Sequence, residues 1–306
     1  MKSPLTVFGL LSTFQNIAIR ATFYLTLFST LLISHRAAAQ VEPWLPIEQR
    51  TPGGVALIDI SDNYQPGSQV FFNNKRVKVI QRSTGPVAMV GIPLNTSTGA
   101  TVLTVKPAIS SDDQSISTVD FSLQPANYPT EQLTIADNNK VSPDSSSLKR
   151  IKLERVVINQ ALQSWQADEI DHRQMVMPVI GRLSSEFGHR RIINGQPRKP
   201  HSGIDIAAPT GTDVVAPAGG VISAVGHYFF NGATLFIDHG EGVISMFCHL
   251  NETLVKPGDS IQQGELVARV GSSGRVTGPH LHWSLSLNDA RINPLLFTSE
   301  KGLTGR

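Results

Sequence analysis

The amino-acid sequence predicts a mainly β protein, with two β-rich regions joined by one helix. Three observations lead to this fold class. Short runs rich in Val, Ile and Thr recur through most of the chain, Gly and Pro separate nearly all of them, and one stretch carries apolar residues at helical spacing. With 306 residues, 40% hydrophobic and 16% charged, the chain is long enough for two globular domains.

Residues 1–39 differ in composition from the rest, because they contain three basic residues and no acidic one. An apolar run over 21–33 is followed by Ala37-Ala38-Ala39, a pattern that predicts a secretory signal peptide cleaved after Ala39. The run is short for a bilayer span. An uncleaved anchor is the alternative, and only in that case do we expect contact with a membrane. Both interpretations indicate a location outside the cytoplasm.

Charge and cysteine content exclude some classes of function. Without residues 1–39 the chain keeps 23 of its 26 Lys and Arg against all 24 Asp and Glu, a net charge of −1. This balance gives no support to a nucleic-acid partner, and we expect none. Cys248 is the only cysteine, so no intramolecular disulfide forms. Its apolar surroundings predict a small buried side chain rather than a nucleophile.

The first β-rich region, residues 40–135, contains no histidine and five candidate strands: 55–60, 69–72, 77–80, 86–93 and 101–105. Residues 136–176 are predicted as a linker with an amphipathic helix. The part up to 147 is polar and contains a proline, whereas apolar residues from Leu148 to Trp165 recur every three or four positions. Ser145 to Ser147 are the expected helix cap, and the apolar stripe predicts a packing face.

The second β-rich region, residues 177–306, is punctuated by Gly and Pro. Its candidate strands are 178–183, 203–208, 213–216, 220–225, 234–238, 243–248, 266–270 and 280–287. The last strand begins with His280 and His282, whose side chains point to the same face because strand residues alternate between faces. Two imidazoles on one face indicate a metal or acid/base site.

A second histidine motif lies upstream. His201 and Asp205 bind one ion only if the chain bends between them, and Gly203 permits that bend. Together with His280 or His282 they form a nitrogen and oxygen ligand set that suits zinc, and three protein ligands leave the open position of a catalytic ion. The spacing leaves open which histidine of the pair binds the metal. His249, at the end of a predicted strand, is a candidate for proton transfer.

Several spaced motifs of this region resemble the lysostaphin-type (LytM-like) zinc metallopeptidases of bacterial cell walls, in the same order and over residues 178–298. These motifs are Ser185-Glu186-Phe187-Gly188-His189-Arg190, His201-Ser202-Gly203-Ile204-Asp205-Ile206, Ala216-Pro217-Ala218-Gly219-Gly220, His249-Leu250 and Gly278-Pro279-His280-Leu281-His282-Trp283. Less specifically, 52–57 and 90–94 are similar to the β-domain that precedes the peptidase in periplasmic members of proteobacteria.

The resemblance implies an antiparallel two-sheet peptidase domain with a groove floored by Zn²⁺. It implies metal binding by His201, Asp205 and His282, with His249 and His280 as the catalytic pair. It also implies hydrolysis of peptide cross-links on peptidoglycan stems in the periplasm, with the exact bond left open. A latent enzyme covered by its amino-terminal domain is a further expectation. The alternative is an inactive relative that binds the wall and regulates a separate amidase.

The remaining candidates have weaker patterns. His239 is predicted as a turn residue at a strand end, while His189 and His227 are interpreted equally well as groove residues or as surface loops. A basic cluster precedes His201 and comprises Arg190, Arg191, Arg198 and Lys199. Such clusters are usually solvated, and contact with carboxylates of wall peptides is the competing hypothesis.

Overall fold

The computed structural model describes residues 42–108, 116–166 and 173–299. The predicted signal peptide lies outside these ranges. Within them, no helix combines the length and apolarity needed to cross a membrane. The described chain is mainly β with antiparallel sheets, as the sequence predicts.

The first β-rich region forms a six-stranded antiparallel sheet with the order β1-β4-β3-β2-β5-β6. Its strands are β1 (Val55–Asp59), β2 (Gln69–Phe72), β3 (Lys75–Arg82), β4 (Gly85–Gly91), β5 (Gly99–Lys106) and β6 (Ser117–Leu123). Alternate apolar residues, among them Val70, Phe72 and Leu103, fill a core on one face. Strand β6 was not predicted from the sequence, because its Ser, Thr and Asp residues alternate with only three apolar residues.

The second β-rich region forms a larger antiparallel sheet with the main order β16-β13-β14-β15-β18-β11-β8. Its strands are β8 (Arg182–Ser185), β11 (Ile204–Ala207), β12 (Asp213–Val215), β13 (Gly220–Tyr228), β14 (Gly232–Asp238), β15 (Val243–Thr253), β16 (Ser260–Ile261), β17 (Leu266–Val270), β18 (His280–Leu287) and β19 (Ala290–Ile292). β12 and β17 pair with each other, and β17 joins the far end of β15. The chain then makes a 3-10 turn over Pro294–Phe297.

A small three-stranded sheet links the two regions. It has the order β10-β9-β7 and consists of β7 (Thr130–Leu133), β9 (Arg190–Ile193) and β10 (Gln196–Pro197). β7 runs parallel to β9, although it comes from the end of the first region. The regions also share a core, because Val55, Ile80 and Met89 belong to the same buried cluster as the second sheet.

The described part of the connecting segment contains two helices: α1 (Asn138–Val141), inside the stretch predicted as linker, and α2 (Ser145–Leu162). The predicted cap is wrong, because the Asp144 carboxylate, rather than Ser145 to Ser147, caps α2 by accepting the Ser147 N–H at 2.7 Å. The predicted packing face is also wrong for most of the helix. Ala161 and Leu162 are its buried apolar residues, while Leu153 is 72% exposed.

Candidate active site

The candidate site lies on three neighbouring strands of the large sheet. Asp205 on β11 is paired with His282 on β18. On the other side of β18, His282 is paired with Cys248 on β15. His249 follows Cys248 directly. The strand register therefore brings together residues that are more than 70 positions apart in the chain.

His201 reaches these strands from the bend that precedes β11. Gly203 is required there by close approach, because a Cβ would lie 2.4 Å from the Trp283 carbonyl oxygen and 2.8 Å from the His282 ring. The sequence prediction that this segment bends at Gly203 agrees with this packing. As a result His201 Nε2 lies 3.0 Å from the Asp205 Oδ1 atom.

Three potential ligand atoms converge at one point. The distance from His201 Nε2 to His282 Nδ1 is 3.0 Å, and that from His282 Nδ1 to Asp205 Oδ1 is 2.7 Å. All three residues are buried. A tetrahedral zinc ion with bonds of ~2.0 Å separates its ligand atoms by about 3.3 Å. The observed spacings are a few tenths of an ångström shorter, so this donor set fits zinc with small side-chain adjustments.

Hydrogen bonds at the far side of each ring fix which nitrogen is free. Ser284 Oγ donates to the Ser202 carbonyl at 2.8 Å, so it accepts from His282 Nε2–H, also at 2.8 Å. His201 Nδ1–H donates to the Glu186 carbonyl at 2.7 Å. The lone pairs of His282 Nδ1 and His201 Nε2 therefore face the convergence point. Such partners orient ligands toward a metal and select the tautomer.

Arg191 holds the outer oxygen of the candidate ligand Asp205. Its Nη2 donates to Asp205 Oδ2 at 2.6 Å, while its Nε donates to Glu131 Oε2 at 3.2 Å. Burial raises the pKa of Asp205, but the adjacent His201 and His282 side chains hold it well below its usual value. Asp205 is therefore an ionised carboxylate. Glu131 was not predicted from the sequence, and it reaches the site through the pairing of β7 with β9.

His249 and His280 form a second pair beside these residues, with ring centroids 4.8 Å apart. Each donates through Nδ1 to a backbone carbonyl, His249 to Ser273 at 2.8 Å and His280 to Gly278 at 2.9 Å. Nε2 is therefore the free acceptor on both rings, and that of His280 lies 3.7 Å from Asp205 Oδ1. The backbone of His249 is left-handed, with φ 64°, a strained conformation that recurs at functional sites.

Burial keeps the innermost imidazoles neutral. It lowers the pKa of His249 to about 3, helped by the nearby His280 and His282 rings. Burial also lowers the pKa of His282 to about 4, partly offset by the neighbouring Asp205 carboxylate. Neutral imidazoles are the form that binds metals and accepts protons.

The site opens into a cavity of about 1010 Å³. The cavity is lined by the five residues His201, Asp205, His249, His280 and His282. It is also lined by five residues of α2, namely Leu148, Ile151, Glu154, Arg155 and Ile158. Phe230 and Arg275, which the sequence analysis did not single out, also line it. Leu148, Ile151 and Ile158 are thus the apolar residues of α2 that line the cavity, whereas the exposed Leu153, Val156 and Val157 do not line it.

The other residues considered from sequence lie elsewhere or have structural contacts. His239 is buried beyond the end of β14, with its ring nitrogens 2.7 Å from the Gly219 carbonyl and 2.8 Å from Ser245 Oγ. His189 and His227 are not among the residues that line the cavity. Cys248 is buried, as predicted, and burial raises its pKa. Of the basic cluster, Arg191, Arg198 and Lys199 line the cavity.

Comparison with known proteins identifies both regions. The description "Peptidase family M23" matches residues 199–294, and "Peptidase family M23 N-terminal domain" matches residues 48–118. Peptidoglycan DD-endopeptidase ShyC of Vibrio cholerae is 38% identical over 41% of this chain and 30% of its own length. DD-carboxypeptidase/endopeptidase Mpg of Neisseria meningitidis is 40% identical over 38% of this chain and 27% of its own length. The matches thus span less than a third of these curated relatives.

A solved structure supports the same assignment over most of the chain. The crystal structure from Pseudomonas aeruginosa that is named for peptidase M23 is 36% identical, with a TM-score of 0.67. The match covers 82% of this chain and 96% of that one. The chain therefore belongs to peptidase family M23 and carries the N-terminal domain of that family ahead of the peptidase domain.

Proposed function

We propose that this protein is a zinc-dependent endopeptidase that hydrolyses peptide cross-links of bacterial peptidoglycan in the periplasm. The observation that carries the proposal is the convergence of His201 Nε2, Asp205 Oδ1 and His282 Nδ1 beside two further imidazoles. The names of the similar proteins ShyC and Mpg support the substrate class. The periplasmic location depends on the predicted signal peptide.

In this proposal His201, Asp205 and His282 hold the metal. When bound, zinc supplies Lewis acidity toward the scissile carbonyl and the attacking water. The buried, pre-oriented ligands leave a face of the site open toward the cavity, where a peptide can lie. Arg191 keeps the Asp205 carboxylate turned so that Oδ1 faces the same point as the imidazole nitrogens.

We assign proton transfer to His249 and His280. Both rings present an unprotonated Nε2, because their Nδ1–H groups are bound to backbone carbonyls. One such nitrogen can accept a proton from the attacking water, and the resulting imidazolium can protonate the leaving amine. Because both rings leave the same nitrogen free, we propose the pair as a unit rather than dividing these two roles between them.

The alternative of an inactive, wall-binding regulator requires a disrupted site. All five residues of the proposed site are present and gathered on one wall of the cavity, which favours the enzyme. The decisive experiment measures zinc content and then analyses by mass spectrometry the muropeptides released from purified sacculi. We expect stoichiometric zinc and cleaved cross-links. A protein that lacks zinc and releases nothing would contradict the proposal.

We further propose that the segment joining the two regions restricts the groove and keeps the enzyme latent. Lys140 Nζ donates to the Phe229 carbonyl at 2.6 Å, and Glu154 Oε2 accepts the Phe229 N–H at 2.8 Å. Arg150 donates to the His227 carbonyl at 2.9 Å. These contacts fasten α1 and α2 to the β13–β14 hairpin, with α2 across the groove from the histidines.

Point variants test latency better than truncation, because the two regions share a core. Replacing Lys140 and Glu154 with Ala removes two charge-assisted hydrogen bonds, each worth ~1.5–3 kcal/mol. We expect the double variant to hydrolyse sacculi at least about tenfold faster than the unmodified chain. Lys152→Ala, an exposed change on the same helix, is the matched control. A double variant no faster than this control would count against latency.

A further inference from the structure

Arg275 is a half-buried cation on the cavity wall, and no acidic side chain of the described ranges forms an ion pair with it. Its guanidinium lies over the Phe230 ring, 4.5 Å from the centroid. Burial, together with the charges of Arg191 and Arg198, lowers the pKa of Arg275 to about 10. The group is therefore charged at neutral pH, and a partly desolvated cation without a counterion is costly to maintain.

The acidic side chains that line the same cavity are already engaged. Asp205 and Glu131 both accept from Arg191. Glu154 is paired with Arg150 at 2.6 Å and also accepts a backbone N–H. None of these carboxylates contacts Arg275, so its charge has no acidic partner on the cavity wall.

The Arg198 side chain adds to this surplus. Its guanidinium donates to the Val141 carbonyl at 2.7 Å and to the Gln196 side-chain amide oxygen at 2.6 Å. Both acceptors are neutral, so its charge is not compensated by these contacts. Arg198 therefore strengthens the attraction of the groove for an anion near Arg275.

The loop that carries Arg275 is fixed to the β13–β14 hairpin and to β15. Arg275 N–H donates to the Phe230 carbonyl at 2.8 Å, and Ser273 Oγ donates to the Leu250 carbonyl at 2.8 Å. Gly274 has φ 82° and packs so closely that a Cβ would lie 2.4 Å from the Phe230 carbonyl oxygen. The guanidinium therefore projects from a backbone with little freedom to move.

The same loop also orients the proposed catalytic pair, because the carbonyls of Ser273 and Gly278 hold His249 and His280. Arg275 lies between these two positions in the sequence. A substrate group bound by Arg275 is consequently positioned by the same short segment that positions the proton-transfer groups. Such coupling favours recognition of a group near the scissile bond.

We propose that Arg275 forms an anion subsite of the groove, which binds a free carboxylate of the substrate peptide within one or two residues of the scissile amide. This inference rests on the proposed peptidase function and specifies its substrate class. The planar guanidinium suits bidentate binding of a carboxylate, and the Phe230 face limits its orientation. A peptide that carries a carboxamide at the same position loses this contact.

The test compares two cross-linked muropeptides that differ only in a carboxylate or a carboxamide beside the scissile bond. Binding is measured by calorimetry on the full chain carrying His280→Ala, with and without Arg275→Ala, and hydrolysis is measured on the chain with His280 intact. We expect the carboxylate peptide to bind ~10- to 100-fold more tightly, as a charge-assisted contact predicts. Arg275→Ala should abolish this preference, and Arg275→Lys should retain part of it.

The controls separate this inference from the proposed function and from misfolding. Arg269→Ala removes an arginine from the β12–β17 pair, away from the cavity, and should keep the full preference. Equal binding of the two peptides, or a preference that survives in Arg275→Ala, would overturn the subsite even if both peptides are cleaved. Tighter binding of the carboxylate peptide without any hydrolysis would support the subsite and contradict the peptidase.

Discussion

Arg191→Ala tests how much a residue that does not touch the metal contributes to metal affinity. Arg191 and Asp205 are joined at 2.6 Å, and their side chains are 18% and 10% exposed. This pair lies between a surface ion pair, worth ~0–1 kcal/mol, and a fully buried one, whose disruption costs ~3–5 kcal/mol. We estimate that loss of this contact, which orients the proposed ligand Asp205, reduces the free energy of zinc binding by ~1.5–3 kcal/mol. This is equivalent to about 10- to 100-fold weaker zinc binding.

The assay is competition for zinc with a chelator of known affinity, which reads binding without requiring turnover. Arg198→Ala is the matched control, because Arg198 is a neighbouring arginine without contact to Asp205. Glu131→Gln should produce a smaller loss than Arg191→Ala, since it only loosens the anchor of Arg191. If Arg191→Ala holds zinc as tightly as the unmodified chain, or Arg198→Ala loses as much, the reasoning is refuted.

Three further predictions concern single side chains. His282→Ala should empty the zinc site, while His280→Ala should keep zinc and lose turnover. Zinc analysis and a hydrolysis assay distinguish the two variants. If both variants keep zinc and hydrolytic activity, the proposed roles of His282 and His280 are contradicted. Burial lowers the pKa of His239 below 6.5, so the unfolded chain binds its proton first. As the pH decreases below about 6.5, the free energy of unfolding should decrease by up to ~1.4 kcal/mol per pH unit. In His239→Gln the melting temperature should depend less steeply on pH. Because burial raises the pKa of Cys248, a thiol reagent should label it after unfolding and not before.

Local patterns in the sequence predicted most members of the candidate metal cluster, because each motif fixes its own geometry. Alternation along β18 places His280 and His282 on one face, and Gly203 allows the bend between His201 and Asp205. The choice of His282 over His280 as the third member of the cluster did not follow from spacing. The resemblance implied that choice, and in the fold His282 is paired with Asp205 across β11 and β18.

The surroundings of this cluster were not predicted, because they depend on contacts between distant segments. Glu131 and Arg275 are 144 positions apart, yet both line the cavity. The α2 helix has the periodicity expected of a packing face, but its position across a groove leaves Leu148 54% exposed. Periodicity predicts that one face is apolar, and only the tertiary arrangement determines whether a core or a cavity lies opposite.

The parallel pairing of β7 with β9 makes the segment before the linker part of the candidate site. The pairing sets Glu131 directly beside Arg191 on the neighbouring strand, and Arg191 in turn holds Asp205. Any rearrangement that separates β7 from β9 removes Glu131 from Arg191 and weakens the support of Asp205. The helices α1 and α2 follow β7 in the chain. The groove can therefore open without changing the geometry of Asp205 only if β7 stays paired with β9. In that case the two helices pivot at the segment that follows Leu133. This constraint favours displacement of the helices alone over separation of the two β-rich regions.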